Sequence, residues 1–346
     1  MVFSAHQEED RIVVVISSAG YFQRKVYCRY FNRNQKEIGH PNPVLVFPEH
    51  LVYCPNTELV EYVGLTIDRR NKVTELARII SRKIFKYDFS FCLAPIYGRD
   101  PKWLMLIEFI EFYKLQGAEH FYVYKQEADS LVDRILEHYV LSGIVEVITM
   151  NKIAGCMSRH RCRHEVQLQE CLTRSRGESK RVATVDLDER ILPKRGAFKN
   201  FLELQQAEGV GEYRFRCQWV LRHNEIPTEI PLTWEEVKTE MPTALWHNTS
   251  HVAPLNHTTK SVIDPQKVES MGVHQVLRFK KGSDVYLVPP EEAVVRHYRL
   301  QRGWSFFLKE AESFGNFNLT NLDTKLQATL SQNVKQSLCA IFNKFC

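Results

Sequence analysis

The chain has 346 residues, 44% of them apolar and 25% charged, and 46 Lys and Arg against 41 Asp and Glu leave a net charge of +5. This excludes a disordered or collagen-like chain and allows about two domains with a real core. So small a surplus is no nucleic-acid signature, though it leaves room for a local basic pocket that takes an anionic ligand.

The most apolar N-terminal run, Ile12 to Ile16, has five residues, whereas a membrane-spanning helix needs about 20. It reads as a buried strand. The opening MVFSAHQEED has neither a basic n-region nor a long apolar h-region, so it is not a signal peptide. The expectation is a cytosolic chain, or one that reaches a membrane only through an anchor absent from this sequence.

Residues 11–67 hold short runs rich in Val, Ile, Tyr and Phe (RIVVVIS, KVYCRYF, PVLVF, HLVYC, LVEYVGLTI), punctuated by Asn, Gly and Pro. They predict a small antiparallel sheet, with the basic stretch 68–90 as a connector. From Phe91 the texture changes. FCLAPIY predicts a buried strand, and WLMLIEFIEFYKLQG has the spacing of a helix that ends at Gly117. HFYVY and IVEVITM predict strands around an amphipathic helix, SLVDRILEHYVLSG, closed by Gly143. HEVQLQECLTRSRG predicts a third helix, and RVATVDLDERILP a strand running into a polar turn. Strand alternating with helix is the pattern of a parallel α/β sheet. No GxGxxG follows its first strand, which argues against a dinucleotide site. Residues 196–260 read as irregular, 271–297 as short strands, and 303–346 as a polar, helical tail. No internal repeat is visible.

Nine cysteines are scattered without a C-x-x-C pair, against a zinc ribbon or redox motif. Cys156, His160, Cys162 and His164 resemble a zinc set in composition, but they crowd too closely for the two separated pairs of a usual finger. Three N-x-[ST] sequons, at Asn248, Asn256 and Asn318, lean with the cysteines toward an oxidising compartment. Asn248 and Asn256 fall in a Pro-rich polar segment expected to be exposed loop.

The most informative motif is Asp186-Leu-Asp188-Glu189, at the carboxyl end of the run Val182 to Val185. Ligands of open α/β sheets bind at such strand ends. In an extended segment residues two apart point the same way, so Asp186 and Asp188 would present two hard oxygen ligands to one Mn²⁺ or Mg²⁺.

The blocks CLAPIYGRDPKWLMLIEFIEFYKLQGAEHFYVY, HEVQLQECLTRSRGESKRVATVDLDERILP, KSVIDPQKVESMGVHQV and AVVRHYR, in this order and spacing, resemble glycosyltransferase family 92. The likeness covers roughly residues 91–300, and VYCRYF and HLVYCP resemble the family's leading region. It implies a GT-A type, Rossmann-like mixed sheet flanked by helices, preceded by the small antiparallel β-rich region. The division is then 1–90 β-rich with linker, 91–300 GT-A domain and 301–346 tail. The likeness further implies an inverting, metal-dependent transfer of galactose from UDP-galactose to a glycan, with β-1,4 addition to the core fucose of N-glycans among the family's reactions. Members are usually type II Golgi membrane proteins.

The other candidates follow. His297 in VVRHYR would complete an Asp, Asp, His set, with His274 as its competitor. Lys260 and Arg299 would offset diphosphate charge. By the resemblance, the loop from Pro95 through Tyr97 cups the uridine, with Tyr97 against the base and Arg99 nearby. Gln167 shares a helix face with His164 and Cys171 and would face the donor. An inverting transfer needs one carboxylate base, for which Glu225, Glu235, Glu236 and Asp264 are available. Trp219, Trp234 and Trp246 offer sugar-stacking faces or core packing.

Overall fold

The N-terminal region is built of the strands β1 (Val2–Gln7), β2 (Arg11–Ile16), β3 (Lys25–Phe31), β4 (Glu37–Leu45), β5 (Leu51–Pro55), β6 (Tyr62–Thr66) and β7 (Ala77–Ser81). The computed structural model describes residues 2–17, 20–48, 50–150, 161–205, 208–301 and 305–346, leaving aside the side chains of 161–162 and 305–307. The seven strands form one sheet in the order β4-β3-β6-β7-β1-β2-β5. The expected small antiparallel sheet is therefore larger, and β1 pairs with β7 in parallel. Both strands escape a pattern reading for a physical reason. β1 buries Ser4 and His6 beside Ala5, and β7 lies in a stretch rich in charge. The sheet buries Ile12, Val14, Ile16 and Val26 around a Cys28–Cys54 disulfide.

The second sheet begins with β8 (Tyr87–Ile96), β9 (His120–Lys125) and β10 (Val145–Thr149), separated by α1 (Trp103–Leu115) and α2 (Ser130–Leu141). Then come α3 (Arg161–Ser175) and β11 (Ser179–Val185). Gly117 and Gly143 close the first two helices at φ 92° and 77°, a region L side chains avoid. α1 is buried almost all round because it lies between the sheet and the chain's last helix. The order is β10-β9-β8-β11, all parallel, with the Cys92–Cys171 disulfide fastening α3 to β8.

Beyond β11 the chain changes sheets. β12 (Glu189–Pro193), α4 (Phe198–Leu204), β13 (Val210–Phe215), β14 (Cys217–Arg222), α5 (Trp234–Glu240), α6 (Pro242–Leu245) and β15 (Asn248–Thr249) lead to β16 (Lys260–Ile263). The hairpin β17 (Val268–Met271) and β18 (Val276–Phe279), then β19 (Asp284–Leu287), β20 (Ala293–Leu300), α7 (Ser305–Ser313), β21 (Asn318–Leu319) and α8 (Thr324–Phe342) complete the chain. β16, β13 and β19 extend the second sheet, while β12-β20-β14-β15-β21 form a third. The fold is thus a Rossmann-like mixed sheet flanked by helices behind a β-rich region.

Two expectations need correction. Residues 196–260 are not irregular: β13 and β14 run through them, disguised by Glu212, Arg214, Arg216 and Gln218 on alternate positions. Glu212 is fully buried and is held by Arg214 (2.7 Å) and Ser261 (2.5 Å). The tail is helical but not merely polar, since α8 buries Leu330, Val334 and Leu338, one helical face, against α1 and α2. Among the described residues, no helix is long and apolar enough to cross a membrane.

Candidate functional site

The Asp186-Leu-Asp188 segment joins the second sheet to the third. β11 ends at Val185 and β12 starts at Glu189, so the turn lies at the carboxyl end of the parallel strands. It is not extended, as the motif alone implied. The Glu189 amide donates to the Asp186 carbonyl (3.1 Å), a tight turn, and the Tyr298 amide donates to the Asp188 carbonyl (2.8 Å). The turn still brings both carboxylates to one place.

Strand register supplies the partners. β12 sets Glu189 opposite His297 on β20, and β16 starts at Lys260 beside the end of β11. The Lys260 ammonium, 1% exposed, lies 3.0 Å from Asp186 Oδ2 and 3.1 Å from Glu189 Oε2. His297 Nε2 is 3.3 Å from Asp188 Oδ2, and its Nδ1 is 3.4 Å from Glu189 Oε1. The second Glu189 oxygen accepts the Asp186 amide at 2.7 Å. His164, on the first turns of α3, places Nε2 3.8 Å from Asp186 Oδ1.

The electrostatics follow from burial and charge. Burial opposes ionisation of Asp186, but Lys260, His164 and His297 hold it below the ordinary carboxylate range. Asp188 is lowered against its own burial by His297. Glu189, buried and beside Asp186, is pushed up to about 7. Burial would discharge His297, yet Asp188 and Glu189 raise it well above the usual imidazole value. His164 and His274 go the other way, each lowered to about 4 by burial, His274 also by Lys260.

The carboxylates are not saturated. Among the described residues, Asp186 Oδ1 is buried and accepts no hydrogen bond, and both amide atoms of the fully buried Gln167 lack a partner. Buried polar groups normally find partners. Two carboxylates and an imidazole suit Mn²⁺ or Mg²⁺. Among the described residues no three acidic, His or Cys groups form a ready-made cage. Such an ion is commonly held by one or two carboxylates plus substrate phosphates, which fits this turn.

The other candidates divide. Tyr97, following β8, is 44% exposed, and its hydroxyl, raised by burial, also feels Asp186 and Asp188. Pro95 lies in β8 two residues before it. Arg299 Nη1 lies 3.4 Å from His297 Nε2. His274 donates from Nδ1 to the Thr259 carbonyl at 3.1 Å and feels the charge of Lys260. Lys260, expected to meet a diphosphate, is instead committed to the two carboxylates. Arg99 is exposed and pairs with Glu127 at 2.7 Å.

Asp264 is not at the site. It pairs with Arg181 (3.1 Å) at the opposite end of β11, about 16 Å from Asp186 at strand rise. Glu236 closes a capping box with Thr233, and Glu235 lies beside Lys238 on α5. Glu225 remains, exposed on the loop after β14, where its charge reaches Arg222, which also senses Asp188. Trp219 and Trp246 are 3% and 4% exposed and serve packing, with Arg222 over the Trp246 ring. Trp234 packs against Phe345. Asn248 is not in a loop: it sits in β15 between β14 and β21, with Thr249 and Ser250 buried. Asn256 and Asn318 are exposed. Cys156 and His160 lie outside the described residues.

Glu189 carried no assigned role in the sequence. Its position beside the motif was the available signal, but only the register of β12 and β20 shows what it holds.

A family model described as glycosyltransferase family 92 matches residues 87–330. No curated protein matches the sequence. Among solved structures, S. aureus TarS 1–349 aligns at 10% identity over 74% of this chain and 73% of that one, with a TM-score of 0.30. Its complex with UDP-GlcNAc aligns at 9% over 75% and 68%, TM-score 0.32. Glucosyl-3-phosphoglycerate synthase from Mycobacterium tuberculosis, with Mg²⁺ and uridine diphosphate, aligns at 10% over 75% and 80%, TM-score 0.30. Superpositions this loose transfer no residue.

Proposed function

The chain belongs to glycosyltransferase family 92, and from that premise we propose that it transfers galactose from UDP-galactose to a glycan hydroxyl with inversion, using Mn²⁺ or Mg²⁺. The observation that carries this reading is the Asp186–Asp188 turn at the sheet junction, with a buried carboxylate oxygen that nothing among the described residues satisfies.

Asp186 and Asp188 would hold the ion, with His297 beside Asp188. When bound, the ion would neutralise charge on the diphosphate leaving group. Lys260 and Glu189 hold Asp186 in place from below, through the ammonium and the backbone amide. Tyr97, with Pro95 behind it, forms the wall for the uridine, and Arg299 adds positive charge on the same side. Glu225, on the rim, is the candidate base that takes the acceptor's proton. A glycan acceptor such as the core fucose of an N-glycan is the proposed partner.

The test is UDP-galactose consumption with and without Mn²⁺, with and without a fucosylated N-glycan. Release of UDP that needs both metal and acceptor supports transfer. Glycan binding without any UDP release identifies a non-catalytic, glycan-binding relative. Glu225→Gln should lower kcat while sparing donor KM.

The proposed compartment is the Golgi lumen, as a type II membrane protein if the natural form carries an anchor. Support comes from the disulfides Cys28–Cys54, Cys92–Cys171 and Cys339–Cys346, a use of cysteine typical of oxidising compartments. N-glycosidase treatment of the protein from its native host should shift its mobility through Asn256 and Asn318 before Asn248. An unshifted protein with reduced cysteines would contradict this.

A further inference from the structure

Gln167 sits at the centre of α3 with no exposed surface and, among the described residues, no hydrogen bond at either end of its amide. Its neighbours on the helix are satisfied. Gln169 holds the Met271 amide and carbonyl, and Glu170 holds Arg174 and His6. A position needing only packing volume is served better by Leu or Met, because an unpaired buried amide is costly.

Its place in the fold says what it faces. Four residues on, Cys171 is bonded to Cys92, which is in register with Thr184 of β11. α3 runs back along β11, so one helical turn, about 6 Å, moves from the level of Thr184 to that of Asp186. One turn further out on the same face, His164 lies 3.8 Å from Asp186 Oδ1. Gln167 therefore lies between the disulfide and the rim, near the level of Asp186, whose Oδ1 is also buried and without a partner among the described residues.

The amide's chemistry narrows the ligand. A metal would use only Oε1, and a phosphate only Nε2. A hydroxyl donates and accepts, and it satisfies both ends. We propose that Gln167 hydrogen-bonds a hydroxyl of the bound nucleoside-diphosphate sugar and thereby sets donor selectivity. The proposal rests on the donor reading above. The hydroxyl belongs either to the ribose or to the transferred hexose.

The experiment is Gln167→Met, with Gln167→Leu as a second variant. Donor binding is measured by calorimetry with Mn²⁺, using UDP-galactose, its 2′-deoxyribose analogue and monodeoxygalactose donors. Wild type should bind one deoxy donor at least about tenfold more weakly than UDP-galactose, because the unmatched amide is left unpaired. The variants should lose that discrimination and melt no lower than wild type. The analogue that wild type rejects identifies ribose or hexose. Variants that keep wild-type discrimination, or a wild type indifferent to every deoxy analogue, would overturn the role of Gln167 while leaving the donor reading intact. A wild type that binds no UDP-galactose would overturn both.

Discussion

One helix carries two buried polar clusters of opposite character. Toward the end of α3, Glu170 accepts from Arg174 at 2.6 Å and from His6 at 3.1 Å, and Tyr124 donates to its other oxygen. Arg174 continues to Glu146 (2.7 Å), which Arg82 also holds (2.8 Å). Both oxygens of Glu170 are taken, and the network ties β1 of the N-terminal sheet to the helix. Toward the start of α3, His164 lies 3.8 Å from Asp186 and Gln167 is buried one turn further in, and here Asp186 Oδ1 and the Gln167 amide have no partner among the described residues. The two clusters have similar charge and burial. The difference is completeness: a closed network holds the fold, and an open one waits for a ligand.

That contrast can be broken most forcefully at Asp188. Replacing it with Ala should lower galactose transfer by about 10³-fold or more, the scale of losing a preorganised electrostatic contact, with little change in unfolding midpoint. A variant that turns over normally, or that simply unfolds, would erase the distinction. The mirror experiment is Glu170→Ala. It strands Arg174 and His6 in the interior and should cost about 3–5 kcal/mol in urea unfolding, while turnover per folded molecule stays near wild type. A smaller, sharper effect comes with acid. Burial favours neutral Glu146, but His120, Arg82 and Arg174 outweigh it and lower the carboxyl to about 2. A depressed carboxylate stabilises the fold above its unfolded value, near 4.5, and that stabilisation drains away as pH falls toward 2. Unfolding midpoints should therefore fall over this window, and Glu146→Gln should flatten the slope. An unchanged slope would remove Glu146 from the network.

The sequence made the central α/β unit legible because its strands are continuous apolar runs and its helices have clean periodicity with Gly closures. The motif Asp186-x-Asp188 was legible for the same reason: it ends such a run. β13 and β14 were hidden because buried charges such as Glu212 mimic exposed ones in a pattern reading. Asp264 was plausible as a base only until topology put it at the far end of β11. Gln167 and Glu170 illustrate the limit most plainly. Three residues apart on one helix, both are polar and both are buried, and only their partners distinguish the proposed donor contact from a structural clamp.

The central claim is that the open cluster is a metal-dependent site for a UDP-sugar. Calorimetric titration of UDP into the full chain tests it directly. The account predicts binding in the presence of Mn²⁺, its loss in excess EDTA and in Asp188→Ala, and its retention in the folded fraction of Glu170→Ala. Equal UDP binding with and without the metal, or binding untouched by Asp188→Ala, would contradict it.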